Sequence, residues 1–267
     1  MTSCQANPQD APVAVITGSA APRVGRSIAL HFANHHYRIV VHGHRSAQEG
    51  EELVKQLASG GQDAMLIRGP VDDETTVKGW VDAIQERMGR IDVLIHAAAI
   101  WEPKRLEETA VEDLQHFLQV NLIGSFLCAK HFGLAMTQQP QGGSIVLMGD
   151  WAIERPYVDF SAYFLSKGSI PTLTRTMAVE LASRNPKVRV NAIHPGPVML
   201  YEGASDTLRE KVRRHSLLQR DGAAWDIAEA ALFLSQQAFI TGTCLPVEGG
   251  RTIYSPNDDE AIAHPSR

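Results

Sequence analysis

The sequence predicts an α/β fold: one domain built on a doubly wound, mostly parallel sheet of seven strands with helices on both faces. Three observations predict it. Short β-branched and aliphatic runs alternate with amphipathic helical stretches along nearly the whole chain. The strand runs are almost continuously apolar, as strands covered on both faces are. No Pro- or Gly-rich linker and no internal repeat divides the 267 residues, so they read as one domain rather than two.

The strand runs cover residues 13–17, 38–42, 63–67, 93–96, 144–148, 188–193 and 243–247. Helical patterns cover 25–33, 47–58, 74–88, 111–136, 162–182 and 226–236. Boundary signals accompany them. Ser46 with Glu49 three residues on reads as a capping box. Gly60-Gly61 ends the second helix and Gly89 the third. Residues 11–252 form the domain, and 1–10 and the polar tail 253–267 are expected to be flexible.

A composition of 44% apolar and 21% charged residues suits a globular protein with one extended core. The net charge of −5 argues against a general nucleic-acid role. No apolar run reaches the length of a membrane span, and residues 1–10 lack the apolar stretch of a secretory signal. Cys4, Cys128 and Cys244 give neither a disulfide framework nor a C-x-x-C metal pair, which points to a reducing, cytoplasmic setting. His31 and His35 stand four apart with no evident third ligand, so they read as surface or helix-end histidines and no metal is expected. The run Arg209-Glu210-Lys211-Val212-Arg213-Arg214-His215 reads as a solvated helix face or as an attractor of an anionic substrate.

The first strand runs into Gly18-Ser19-Ala20-Ala21-Pro22-Arg23-Val24-Gly25. A glycine turn before a helix offers backbone N–H groups and a positive helix end to a pyrophosphate, although an ordinary strand–helix connection also reads this way. Its place after the first strand gives it a Rossmann-like, dinucleotide-binding reading. An NAD site sets an acid at the end of the second strand against the ribose 2′-OH. Here that strand ends Val41-His42-Gly43-His44-Arg45-Ser46, with no acid before Glu49. Arg45, Ser46 and Arg23 suit a 2′-phosphate, which favours NADPH/NADP+ as the cofactor; the alternative is three surface polar residues.

Tyr163 and Lys167 stand four apart on a helical pattern and so share a face. An ammonium beside a phenol lowers the phenol's pKa, which makes Tyr163 a usable acid or base. A solvated pair has the same spacing. The position after the fifth strand, with Asp150 thirteen residues earlier, favours the catalytic reading.

These features, with Val120-Asn121-Leu122, Asn191-Ala192-Ile193-His194-Pro195-Gly196-Pro197-Val198 and Glu248-Gly249-Gly250, resemble the short-chain dehydrogenase/reductase family from Val13 to Thr252. The resemblance implies Tyr163 as proton donor, Lys167 on the nicotinamide ribose and Asn121 in a proton path. It implies a cofactor held by Gly18, Arg23, Val24, His44, Arg45, Ser46, Val71, Ala97, Ala98, Asn121, Lys167, Pro195, Gly196 and Val198. Where the family usually has a serine that donates to a substrate carbonyl, this chain has Asp150. An ionised carboxylate only accepts hydrogen bonds, so Asp150 suits a substrate that presents N–H groups, or a proton relay.

Within the family the chain resembles the pteridine reductases most. The residues are Arg23-Val24-Gly25-Arg26-Ser27-Ile28-Ala29, His44-Arg45-Ser46, Asp150 with Tyr163 and Lys167, and Leu218-Gln219-Arg220-Asp221. The resemblance places Trp101, Asp150 and Tyr163 at the substrate, with Trp101 stacking a flat pterin against the nicotinamide; a hydrophobic lid residue is the alternative. It also implies a homotetramer or dimer built from 111–136 and 162–182. Two departures stand out. His96-Ala97-Ala98-Ala99 replaces an Asn-Asn-Ala-Gly turn, and Pro70 replaces an acid near the adenine, with Asp72 two residues on.

The expected function is NADPH-dependent transfer of a hydride to a pterin-type C=N, as in dihydropterin or dihydrofolate reduction. The alternative is reduction of a 3-oxoacyl thioester, sugar or other ketone. Asp150 argues against it, because a carboxylate beside a developing alkoxide is unfavourable unless protonated. A cofactor-binding regulator without turnover is a further alternative, against which the Tyr163, Lys167 and Asn121 set argues. The expected partner is a small-molecule substrate, with neither nucleic acid nor membrane.

Overall fold

The computed structural model of the chain describes residues 10–199 and 205–254. The two segments expected to be flexible lie largely outside those residues. Seven strands form one parallel sheet in the order β3-β2-β1-β4-β5-β6-β7. They are β1 Val13–Thr17, β2 Arg38–Gly43, β3 Ala64–Arg68, β4 Val93–His96, β5 Gly143–Met148, β6 Val188–Pro195 and β7 Cys244–Val247. The apolar runs therefore mark every strand, to within two residues at each end.

Burial explains why those runs are continuous. Every residue of β1 and β2 is buried, and the sheet carries a hydrophobic core on each side. One core packs Ile28 and Phe32 of α1 (Val24–Asn34), Leu53 of α2 (Ala47–Ser59) and Ile227 of α9 (Ala224–Gln236) against the sheet. The other packs Trp80 of α3 (Glu74–Met88), Phe132 of α5 (Gly124–Thr137) and Leu181 of α7 (Ile170–Ala182). Parallel strands under two helical layers bury both faces, which leaves no polar face to show alternation.

The sheet order turns about β1. The chain builds outward through β2 and β3, then returns to set β4 on the other side of β1, with Thr17 opposite His96. In such sheets, ligands bind in the crevice beyond the carboxyl ends of the strands at this reversal.

Three expectations need correction. The pattern at 111–136 is not one helix: α4 (Val111–Phe117) passes through a π-helical segment, Leu118–Ile123, into α5. The pattern at 162–182 likewise divides into α6 (Ser161–Gly168) and α7, where Pro171 in the first turn of α7 has no N–H to continue the ladder. Ser46 makes no side-chain cap, because its ψ of 47° lies outside the extended region an N-cap uses. His31 lies in the last turn of α1, in line with the helix-end reading, and is buried edge-on to Trp225 at 4.3 Å between α1 and α9. One helix, α8 (Asp206–Arg214), adds to the sequence reading; it carries the basic run and is capped by the Ser205 hydroxyl.

Gly25 shows how tightly α1 sits on the glycine turn. A Cβ there would lie 2.5 Å from the Gly18 carbonyl oxygen, which is backbone and cannot swing aside. Gly25→Ala is expected to destabilise the protein by about 1–3 kcal/mol, read as a lower urea midpoint. An unchanged midpoint would show that α1 is not seated this closely on the turn.

Candidate active site

The glycine turn is held from below by a histidine. The Gly18 N–H donates to Nδ1 of His42 at 2.9 Å, so that nitrogen is an acceptor and the proton sits on Nε2. Nε2 then donates to the Gly69 carbonyl at 3.0 Å. His42 thus ties the end of β2 to the turn after β1 and to the turn after β3. Arg26 adds a second tie, donating to the carbonyls of Ala20 and Glu49. Gly18 has a φ of +68°, and a Cβ on it would press on Ala98 at 2.9 Å, so the turn lies directly on the Ala97-Ala98 backbone.

The residues at this crevice fit a dinucleotide's phosphates. The first turn of α1 carries no acid and Arg23 forms no side-chain cap, so no protein anion competes for the positive helix end. Arg23, His44 and Arg45 are exposed around the turn, with Ser46 and Val24 half-buried beside them. Ala97, Ala98, Pro195, Gly196 and Val198 line the ends of β4 and β6 and are partly accessible. The Val71 side chain is buried in the core against Gly124. Asp73 caps α3 through the Thr76 N–H.

Tyr163, Lys167, Asp150 and Asn121 come together beyond the carboxyl end of β5. The Tyr163 hydroxyl donates to Oδ2 of Asp150 at 2.6 Å. Oδ1 of Asp150 accepts the Ala152 N–H at 2.8 Å, which fixes the carboxylate. The Lys167 ammonium is buried and donates to the Met148 carbonyl at 2.7 Å. Asn121 is fully buried in the π-helical segment and reaches both ways. Its Oδ1 accepts the Ile100 N–H at 2.9 Å and its Nδ2 donates to the Ile100 carbonyl and to Ser166 Oγ. Ser166, unremarked in the sequence, donates in turn to the Tyr163 carbonyl at 2.7 Å. Asn121 therefore clamps the segment before Trp101 to the helix that carries Tyr163.

The electrostatics correct one expectation. Lys167 does not pull Tyr163 toward phenolate. Burial, then the charge of Asp150 and the hydrogen bond to it, push the Tyr163 hydroxyl above the ordinary phenol range. Burial pulls Lys167 down to about 8, with Asp150 opposing. The arrangement holds Tyr163 as a phenol.

Aromatic rings surround Tyr163. Trp101 stacks on Phe160 at 4.8 Å, and Tyr157 meets Phe160 and Phe164 edge-on. Trp101 thus pairs with the segment leading into α6, while half of its surface stays exposed. A separate cleft of about 350 Å³ lies under α8, lined by Val198, Leu217, Leu218 and Arg251. It reaches Gly196 and Val198 but not Tyr163.

The sequence reading singled out no role for three histidines. His42, His96 and His194 stand at or next to the carboxyl ends of β2, β4 and β6 and are all buried. Their common position at strand ends is the signal that was available. Burial holds His42 down at about 4 and His96 at about 3, with the charge of Lys167 also acting on His96.

A family model described as enoyl-(acyl carrier protein) reductase matches residues 19–252. A 3-oxoacyl-[acyl-carrier-protein] reductase of Staphylococcus aureus is 31% identical over 242 residues, 89% of this chain and 96% of that protein. An NADPH-dependent aldehyde reductase-like chloroplastic protein of Arabidopsis thaliana is 29% identical over 255 residues, 89% of this chain and 93% of its own. A second NADPH-dependent aldehyde reductase of the same plant is 28% identical over 256 residues.

The buried histidines set the acid sensitivity. Both folded pKa values lie below the ordinary 6.5, so their contribution is whole above that pH and is lost as pH falls through the folded values. Between pH 6.5 and about pH 5 the chain is expected to lose about 2 kcal/mol per imidazole. Urea unfolding across that range measures it, and His42→Gln is expected to flatten the dependence. A stability that does not change from pH 7 to 5 would contradict the His42 tautomer and its bond to Gly18.

Proposed function

The chain belongs to the short-chain dehydrogenase/reductase family, and on that premise we propose that it is an NADPH-dependent reductase of a planar heterocycle with a pterin-type C=N bond. Membership makes it a nicotinamide-dependent oxidoreductase acting on a small molecule. The observation that carries the finer reading is the Tyr163 hydroxyl on the Asp150 carboxylate at 2.6 Å. At that position a hydroxyl would donate to a carbonyl oxygen, whereas a carboxylate takes hydrogen bonds from N–H groups.

Bound NADPH supplies the hydride. Tyr163, held as a phenol, supplies the proton to the ring nitrogen. The lone pairs of Asp150 left free by Tyr163 and Ala152 accept from amino or ring N–H groups of the substrate. Trp101, stacked with Phe160, offers an aromatic face for a flat ring and shields it from water. Lys167 and Asn121 hold this geometry through Met148, Ile100 and Ser166, and Lys167 also binds the nicotinamide ribose hydroxyls. Arg23, Arg45 and Ser46 are the donors for the 2′-phosphate, and two relatives bear NADPH in their names.

The relatives' names favour a second reading, reduction of an aldehyde or a 3-oxoacyl thioester. Under it Asp150 orients Tyr163 alone. Phe126, Leu165 and Val179 are exposed apolar side chains on α5, α6 and α7, which supports assembly as a homotetramer or dimer through those helices. The free thiols of Cys128 and Cys244 fit a cytoplasmic setting. No helix among the described residues is long and apolar enough to cross a membrane.

Loss of NADPH absorbance with dihydrobiopterin and dihydrofolate, beside acetoacetyl thioester and simple aldehydes and ketones, tests the substrate class. The expected result is pterin-selective turnover, with kcat/KM lowered about a hundredfold in Asp150→Ala. Turnover confined to aldehydes and ketones, or pterin turnover intact in Asp150→Ser, would overturn the pterin reading. Arg45→Ala is expected to raise KM for NADPH about tenfold and to leave KM for NADH unchanged. Equal effects on both cofactors would remove Arg45 from the phosphate site.

A further inference from the structure

Three titratable side chains converge on the end of β5, Met148-Gly149-Asp150, and the mechanism above uses two of them. Lys167 donates to the Met148 carbonyl and Tyr163 to the Asp150 carboxylate. The third is His194, next to last in β6. Met148 pairs with Ile193, and the Gly149 N–H donates to the Ile193 carbonyl at 2.8 Å, so the two strand ends run on side by side.

The His194 ring occupies the space a side chain at 149 would fill. A Cβ on Gly149 would come within 2.7 Å of Nε2 and closer still to Cδ2. The glycine before Asp150 is thus what admits the imidazole. His194 is 7% exposed, and its Nε2 is buried with no hydrogen-bond partner. An unpaired buried polar nitrogen costs stability, and a packing role alone would be met as well by an apolar side chain. The charged groups acting on the ring are Asp150 and Glu154 from the turn after β5, and Lys167 from α6.

We propose that His194 is a positioning residue that acts through the Asp150 carboxylate to govern release of the Tyr163 proton. The inference rests on the reading of Tyr163 as proton donor. When Tyr163 gives its proton to the substrate nitrogen, a phenolate is left facing a carboxylate 2.6 Å away. Two like charges at that separation oppose the transfer. An imidazolium beside Gly149 offsets the carboxylate and eases it, whereas a neutral imidazole does not. One proton moves, from the Tyr163 oxygen to the substrate; His194 and Lys167 keep theirs.

The consequence is a pH dependence of known sign. Burial holds His194 below its ordinary value, with Asp150 and Glu154 opposing. The imidazolium therefore forms on the acid side of the usual histidine range, and turnover rises as pH falls through that point. Lys167, nearer neutrality at about 8, shapes the alkaline side instead.

Two measurements on the full chain test this. The first is kcat against pH for the wild type and His194→Gln, an amide of similar bulk that cannot titrate. The expected result is loss of the acid-side rise, with kcat there lower by about tenfold and KM little changed. The second is the ring titration of His194 by NMR in the wild type and in Asp150→Asn, which leaves His194 in place and needs no substrate. Its midpoint is expected to fall in Asp150→Asn, because removing a negative charge disfavours the imidazolium. Identical pH profiles in wild type and His194→Gln, or a ring midpoint unmoved by Asp150→Asn, would overturn the inference. Absence of turnover on every substrate would instead overturn the function reading, and the ring titration would still decide whether His194 and Asp150 are coupled.

Discussion

The hydrogen bond from the Tyr163 hydroxyl to the Asp150 carboxylate is the interaction on which the rest of the site depends. It requires β5 to end at Met148, so that Gly149-Asp150 turns into the crevice, and it requires α6 to present Tyr163 to that turn. Asn121 secures the second condition. Its amide holds Ile100 on one side and Ser166 on the other, so it ties the Trp101 segment to the Tyr163 helix. The π-helical segment places Asn121 there, as such segments often do at functional positions.

A carboxylate in this position reverses the usual electrostatic logic of a tyrosine beside a lysine. The lysine is spent on the Met148 carbonyl, and the aspartate favours the phenol over the phenolate. Charge then has to be supplied from elsewhere when the proton leaves. His194, admitted by Gly149, stands where it can supply it. The same strategy of a buried histidine at a strand end recurs under the glycine turn after β1, where His42 spends both ring nitrogens on backbone partners. There the imidazole is a neutral structural strut, and burial keeps it so.

The fold was legible because burial on both faces leaves continuous apolar runs, and all seven strands follow from them. The site was legible where chemistry sits at fixed spacing, as with Asp150, Tyr163 and Lys167. Three kinds of feature were not. The break of the 111–136 pattern into α4, a π segment and α5 leaves the apolar periodicity almost intact, so the sequence shows one helix. The capping box at Ser46 has the right residues and the wrong backbone angle, which only coordinates reveal. The direction of the Tyr163 shift depends on burial and on where the Lys167 ammonium goes, and neither is a property of spacing.

The central claim is that Asp150 holds Tyr163 as a phenol poised to donate. It is tested most directly by labelling the tyrosine ring carbon next to the hydroxyl and following Tyr163 by NMR as pH is raised. In the wild type Tyr163 is expected to remain a phenol beyond the ordinary tyrosine range, and in Asp150→Asn to ionise at a lower pH. Ionisation of wild-type Tyr163 at or below the ordinary range, unmoved by Asp150→Asn, would contradict the account.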